Sequence, residues 1–409
     1  MNYRAALAWL YTTQLHGVKP GLECMQRLVR ALALRVDGTN GPRFIHVAGT
    51  NGKGSVCAMI ESILRASGVR TGLFTSPHLV QFRERIQVGG AEIGEDAVAD
   101  GLTRIRALSE SWERPSTFFE ITTALGLLHF QQAGVEVAVM ETGLGGRLDA
   151  TNVIAPLISV LTPIDVDHEQ YLGRQLAEIA IEKAGIIKPG RPAISGPQPE
   201  DVLQVLAHVS VERDSQFHLV LSPLTGVPLA LAGDYQRWNA ALAVHALDAA
   251  DLTVSNEALV RGLATVRWPG RFQRMEEDQI ILDGAHNPAA ARQLGRTWAE
   301  TYGEEKATVI LGIMQDKDVP GICTALAPAA KRLIAVRVRN PRSASAEDVL
   351  AAILELAPCC ESFTAQTLED ALEIAEGFPE RILITGSLFL VGEALALLQG
   401  ERQPEASLQ

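Results

Sequence analysis

Cysteine is scarce in this chain: five among 409 residues (Cys24, Cys57, Cys323, Cys359 and Cys360), irregularly spaced and two of them adjacent. That excludes a disulfide framework and a C-x-x-C metal or redox site, and points to thiols in a reducing compartment. Basic side chains are outnumbered as well: 36 Lys and Arg against 48 Asp and Glu leave a formal charge of −12. A surface of that sign repels phosphate polymers and anionic bilayers, so neither nucleic acid nor membrane is an expected partner. Any phosphate the chain holds must be gripped by local geometry. Long apolar runs are missing too. No stretch reaches the roughly 18 residues of a membrane span. The N-terminal MNYRAALAWLYTTQLHG has no signal-peptide core or small-residue cleavage site. A cytoplasmic protein is expected.

What is present is an ordinary globular composition long enough, at roughly 150 residues per domain, for two or three domains. FIHVAG (44–49), VEVAVMET (135–142) and PLISVLT (156–162) are short, nearly continuous apolar runs, the pattern of strands buried on both faces of a parallel sheet. Helical patterns alternate with them over Lys53–Ala66, Glu95–Glu110, Phe118–Ala133 and Leu176–Ala184. From Gln279 the rhythm restarts with IILDGA, ATVILGI, KRLIAVRV and RILITGS, each followed by a helix-like segment. Repeated β–α alternation predicts a doubly wound, mostly parallel sheet followed by a smaller Rossmann-like α/β domain. Pro269-Gly270 in VRWPGRF (266–272) marks the joint, which divides the chain into 1–268 and 269–409. In such folds ligands gather beyond the carboxyl ends of strands, so the loops there hold the candidate chemistry.

The first of those loops is HVAGTNGKGS (46–55), between the strand FIHVA and a helix. Gly49, Gly52 and Gly54, with Asn51, allow the backbone to curl its amides onto phosphate, and the helix N-terminus adds its dipole. Lys53 supplies a cation near the terminal phosphates, and the Ser55 hydroxyl can ligate Mg²⁺. The standard G-x-x-x-x-G-K-[ST] spacing is not met, since Val47 stands at its first glycine and Gly54 separates Lys53 from Ser55. A glycine turn capping a helix would use the same residues. The flanking strand and helix favour the nucleotide reading, and no N-K-x-D guanine signature accompanies it.

Taken in order, GTNGKGS (49–55), TSPHL (75–79), FRERI (82–86), ETGLGGRLDATN (141–152), DHEQYLG (167–173), EKAGIIKPG (182–190), PGRF (269–272) and DGAHNP (283–288) resemble the ATP-dependent amide ligases: the Mur ligases and, much more closely, folylpolyglutamate and dihydrofolate synthases. Mur ligases carry a substrate domain before the phosphate loop, and the 48 residues before Gly49 are too few for it, so the two-domain folate branch is the expected one. The resemblance implies transfer of the γ-phosphoryl group of ATP to a substrate carboxylate, then attack of the L-glutamate amine on the acyl phosphate, giving amide, ADP and phosphate. Metal and Lys53 must neutralise two anions brought together.

Residue by residue, the resemblance makes Ser55, Glu141 and His168 the Mg²⁺ ligands. It implies two ions, and on Lys183 a carbamate derived from CO₂. Lys53, Lys183 and His168 are thus the catalytic candidates; a solvated helical lysine beside Glu182 is the plainer alternative for Lys183. Asn239 matches an asparagine near the ATP base, while Arg271 and Asp283 match phosphate and ribose contacts from the smaller domain, which is expected to carry the glutamate side and to close over ATP. Ser76 and His78 of TSPHL fall beside the nucleotide and substrate. On the pterin side, STFFEITTALG (116–126) resembles the substrate segment, with Thr117, the flat faces of Phe118 and Phe119, and Glu120 as an acceptor; these aromatics could equally be core. Leu148, Asp149 and Ala150 resemble a second substrate-facing stretch. Near the N-terminus Gly21 and Leu22 match a further substrate motif, but Lys19-Pro20 stand where many bifunctional members have an acid.

The expected activity is therefore a monomeric Mg²⁺–ATP ligase that adds L-glutamate to dihydropteroate and to folates. A folylpolyglutamate synthase without the first activity is the nearest rival. A catalytically silent nucleotide-binding regulator is the rival of another class.

Overall fold

The computed structural model describes residues 1–17, 21–356, 360–400 and 404–405; Lys19, Pro20 and Cys359 lie outside the described residues. The chain divides into two compact units, the first built from residues 1–76, 83–230 and 237–266, the second from 77–82, 231–236 and 267–409. The break thus falls between Val266 and Arg267, close to Trp268. Nothing in the local composition marks the two short excursions of the chain into the second unit.

The first unit is organised by eight strands: β1 (Arg43–Ala48), β2 (Thr71–Phe74), β3 (Ile86–Val88), β4 (Ala91–Glu92), β5 (Val137–Glu141), β6 (Pro156–Leu161), β7 (Ala193–Ser195) and β8 (Phe217–Leu219). Their order is β4-β3-β2-β5-β1-β6-β7-β8, parallel throughout except for the pairings of β3. The side chains of β5 are all buried, as are those of β1 beyond Arg43. That is why their sequences read as nearly continuous apolar runs rather than alternating ones. The helices Lys53–Ala66 and Leu176–Ala184 have the expected limits, and Glu95–Ser109 and Phe118–Gln132 end one residue short of theirs.

The connection from β1 to β2 passes over the place later filled by β5, while the one from β5 to β6 passes over β1. Chain direction across the sheet therefore reverses at β1, and the carboxyl ends of β5, β1 and β6 lie side by side. A doubly wound sheet opens its ligand crevice at such a switch point. Three loops, 49–52, 142–149 and 162–168, emerge there.

The second unit has strands β9 (Gln273–Met275), β10 (Ile280–Leu282), β11 (Ala307–Leu311), β12 (Ala330–Val336), β13 (Glu361–Ala365) and β14 (Ile382–Thr385), ordered β13-β12-β11-β14-β10-β9 with only β9 antiparallel. Alternate residues face opposite cores. Val309, Leu333 and Leu383 pack with Trp298 and Leu294 on one face. Ile310, Ile334 and Ile384 pack with Leu390 on the other, and Val80 from the first excursion joins them. Among the described residues no helix is long and apolar enough to cross a membrane.

Candidate active site

The glycine loop is stitched to its neighbour before any ligand is considered. Thr50 and Asn51 donate their amides to the Pro163 carbonyl at 2.9 and 3.1 Å, and Thr50 Oγ1 exchanges bonds with the backbone of Asp165. The curl then ends at Gly52, whose φ of 86° places it in the left-handed region as N-cap of the helix Lys53–Ala66. A Cβ there would lie 2.8 Å from Asn239 Oδ1, so only glycine allows Asn239 to approach the loop. The phosphate-loop residues and the expected base-side asparagine are thereby brought together.

Two ammonium groups share one carbonyl. Lys53 Nζ donates to Gly49 O at 3.1 Å and to Thr50 O at 3.0 Å, and Lys183 Nζ donates to the same Gly49 O at 2.8 Å. Lys183 is buried at the end of the helix Leu176–Ala184. Burial, then the charge of Lys53, pulls its ammonium from an ordinary 10.5 down to about 7, with Asp167 and Asp149 opposing. The plainer alternative, a solvated helical lysine, is overturned: the side chain points inward onto the phosphate loop.

Glu141 closes β5 and is 4% exposed. Its Oε2 accepts the Ser76 backbone amide at 3.1 Å. Ser55 is equally buried. His168 is exposed on the loop after β6, with a left-handed φ of 54°. Among the described residues there is no cluster of three or more His, Cys, Asp or Glu side chains able to hold a metal. A zinc-type cage is thus absent there. The Ser55 hydroxyl and the Glu141 carboxylate are hard oxygen donors of the kind Mg²⁺ takes alongside its waters and phosphate oxygens, whereas the His168 imidazole is a softer one. The buried Cys57 is no nucleophile: burial, then the nearby Glu141 charge, pushes its thiol well up.

Phe118 and Phe119 open the helix Phe118–Gln132, with Thr117 as N-cap in a capping box. Glu120 completes that box, its Oε2 accepting from Thr117 N at 2.8 Å and Thr117 Oγ1 at 2.9 Å. The expected acceptor for a ring N–H thus has a local task. Phe118 is buried and stacks on Tyr11 with centroids 5.8 Å apart, and the fully buried Arg85 guanidinium lies 5.3 Å over its ring. Phe119 meets Phe74 edge-on at 6.0 Å and packs so closely on Gly143 that a Cβ there would stand 2.5 Å from its ring.

Leu148 is half-buried, whereas Asp149 and Ala150 are buried. Asp149 does not offer its carboxylate outward, contrary to the reading of 148–150 as substrate-facing. Its Oδ2 accepts the amides of Gly143 and Leu144, both at 2.9 Å, and its Oδ1 accepts from Thr151 N and Thr151 Oγ1. Four donors fill all four acceptor positions. Gly21 and Leu22 are half-buried at the start of the helix Glu23–Leu32.

In the second unit, Asp283 follows β10 and is buried, which pushes its carboxyl up. It accepts Phe272 N at 2.8 Å and Ala285 N at 2.9 Å, and so ties PGRF to DGAHNP. Phe272 takes a φ of 44° there, rare for a bulky residue, and is held by that bond and by its packing on Trp298 and Tyr302. Arg271 Nη1 donates to Gly270 O at 2.9 Å. His78 also belongs to this unit: it is buried, with Nε2 3.2 Å from Glu405 O. The TSPHL motif is therefore shared between units, Ser76 ending a segment of the first and His78 lying in the second. Sequence reasoning missed Arg85, although FRERI was among the motifs: Arg83, Glu84 and Gln87 surround it, so nothing local marks it as buried.

Comparisons with known proteins bear on this arrangement. Residues 47–194 match the Mur ligase middle domain and residues 270–388 the Mur ligase glutamate ligase domain. The chain is 33% identical to the dihydrofolate synthase/folylpolyglutamate synthase of Bacillus subtilis, over 96% of this chain and 98% of that protein. It superimposes on Mycobacterium tuberculosis folylpolyglutamate synthase complexed with ADP with a TM-score of 0.89 at 32% identity, covering 99% of this chain and all of that one. The Yersinia pestis bifunctional folylpolyglutamate synthase/dihydrofolate synthase, complexed with AMPPNP and a manganese ion, gives 0.87 at 30% identity, covering 98% of each chain.

Proposed function

The chain belongs to the Mur ligase family, in its dihydrofolate and folylpolyglutamate synthase branch, and from that membership we propose how its own residues carry out the ligation. It is an ATP-dependent ligase that joins L-glutamate to dihydropteroate and to tetrahydrofolates. A carboxylate oxygen of the pterin acid attacks the γ-phosphorus of ATP and ADP leaves. The glutamate amine then attacks the acyl carbon, loses a proton, and expels phosphate.

The observation that carries the assignment of the site is the pair of lysines on the Gly49 carbonyl. The Lys53 ammonium held within the glycine curl, with the Lys183 amine on the same carbonyl, makes the place where an acidic protein accepts a triphosphate. Lys53 swings from the loop carbonyls onto the terminal phosphates, and the amides of the curl hold the rest. Asn239, which lies against Gly52, takes the base side. Ser55, Glu141 and His168 would hold Mg²⁺, with Ser76 at the same carboxylate. Bound there, Mg²⁺ supplies the charge neutralisation that lets two anions meet. Lys183, with an ammonium pulled down to about 7, is half neutral near neutral pH. Its amine can attack CO₂, forming an N–C bond and releasing one proton, which leaves a carbamate anion where a cation stood. Phe118 and Phe119 supply the pterin-side wall, with Gly21, Leu22, Thr117, Glu120 and Leu148 around it. Arg271 and Asp283 are the second unit's nucleotide contacts, and that unit takes the glutamate side. The protein works as a monomer in a reducing cytoplasm, where its described cysteines stay free.

The test is a panel of dihydropteroate and several folates incubated with ATP, Mg²⁺ and L-glutamate and read by mass. One glutamate added to dihydropteroate, and further glutamates to tetrahydrofolate, is the expected result. Elongation of tetrahydrofolate alone would remove the dihydrofolate synthase half, and no product from any pterin acid would overturn the reading.

A further inference from the structure

His46 has no part in the ligation chemistry, yet it is a fully buried imidazole on β1, three residues before the glycine curl. Its Nε2 lies 2.8 Å from Thr151 Oγ1, and its Nδ1 has no hydrogen-bond partner. Thr151 Oγ1 in turn bonds to Asp149 Oδ1. A buried imidazole nitrogen without a partner loses less as a bare lone pair than as an N–H without an acceptor, because a strong donor would be stranded. The proton therefore sits on Nε2, Thr151 accepts it, and the single Thr151 hydroxyl proton goes on to Asp149. Burial holds the imidazole near a pKa of about 3, so this neutral form persists at any working pH. The chain of donors has one direction, from β1 to the carboxylate.

At its far end Asp149 grips the amides of Gly143 and Leu144, the second and third residues beyond Glu141. The same Gly143 is the surface against which Phe119 packs. The loop so fixed runs from the metal-side carboxylate to the pterin-side aromatic ring. A shift of Gly143 moves the wall against which a pterin would lie, while the phosphate grip of residues 49–55 is untouched.

We propose that His46 is a positioning residue for the pterin substrate, acting through Thr151 and Asp149 on the Gly143–Leu144 backbone. The inference rests on the pterin ligase reading above and adds a residue, outside the motif's phosphate-binding part, that sets substrate affinity without touching substrate. Steady-state kinetics of the full chain test it with three variants. His46→Leu removes the donor. Thr151→Val removes the relay at nearly constant shape. His46→Gln keeps an N–H close to the Nε2 position. His46→Leu and Thr151→Val are each expected to raise KM for dihydropteroate or tetrahydrofolate about tenfold, with KM for ATP within about twofold, because losing a buried hydrogen bond is felt where the loop meets the ligand. His46→Gln should return the pterin KM to within about threefold of the parent, and the double variant should add nothing to either single loss. Nitrogen-15 NMR of the imidazole should show the Nε2–H tautomer from pH 5 to pH 8, a measurement independent of turnover. A merely structural histidine would lower Tm and leave the two KM values unmoved or moving together, with no rescue by glutamine; that pattern, or an Nδ1–H tautomer, overturns the proposal. A parent enzyme that ligates glutamate while His46→Leu keeps its pterin KM sinks this inference alone, whereas a parent inert with every pterin acid sinks the functional reading beneath it.

Discussion

Lys53 and Lys183 show how much one carbonyl can reveal. Both amines converge on Gly49 O, and for Lys183 burial and the Lys53 charge outweigh the opposing Asp167 and Asp149. Lys53→Ala is expected to cut kcat by roughly 10²–10³-fold, the size of losing one aimed cation at a developing charge, with Tm unchanged; near-normal ligation by that variant would contradict its role. For Lys183 the folded-state value of about 7 lies below the ordinary 10.5. The folded protein therefore disfavours the proton, and the resulting stability deficit is complete below pH 7 and relieved as pH rises from 7 towards 10.5. Without CO₂, the parent should gain stability over Lys183→Met across that interval in urea titrations at stepped pH. With bicarbonate, stimulation of ligation should be weak at pH 6, where about a tenth of the amine is neutral, and strong at pH 8. A flat response would exclude the carbamate. Lys53, Ser55 and Glu141 were legible as candidates because their motif neighbours are close in sequence. The links His46–Thr151 and Lys183–Gly49 join residues 105 and 134 positions apart, and no local pattern encodes such a meeting.

At the scale of elements, the fold was readable where a strand or helix had to be apolar on every side. The buried runs of β1, β5 and β6 and the helix Phe118–Gln132 announce themselves because burial makes them mostly apolar, with His46, Glu141, Ser159 and Glu120 among the polar exceptions. The strands β2, β7 and β8, of three or four residues, are too short for any period to show. Glu120 illustrates the limit differently: its type fitted a ligand contact, but position three of a helix beginning at Thr117 gives it a capping task. Thr117→Ala should therefore cost about 0.5–2 kcal/mol in chemical unfolding. Because that helix start also carries Phe118 and Phe119, pterin KM should rise in parallel while ATP KM does not. An unchanged denaturation midpoint would show that the box contributes nothing.

For the whole molecule, connectivity sets the constraint. Residues 77–82 and 231–236 belong to the second unit although they lie far from it along the chain, and Val80 sits in the core formed by Ile384 and Leu390. A fragment of residues 267–409 alone should thus lack a wall of its own core and show a broadened, low-temperature melt by circular dichroism; a sharp cooperative transition equal to that of the full chain would show the excursions to be dispensable. The same feature has a consequence during synthesis. Leu79 and Val80 leave the ribosome roughly 300 residues before the helix Leu388–Leu398 that covers them, about 15–60 s at ordinary elongation rates. Throughout that wait the nascent chain presents an apolar strap whose covering helix has not yet been made.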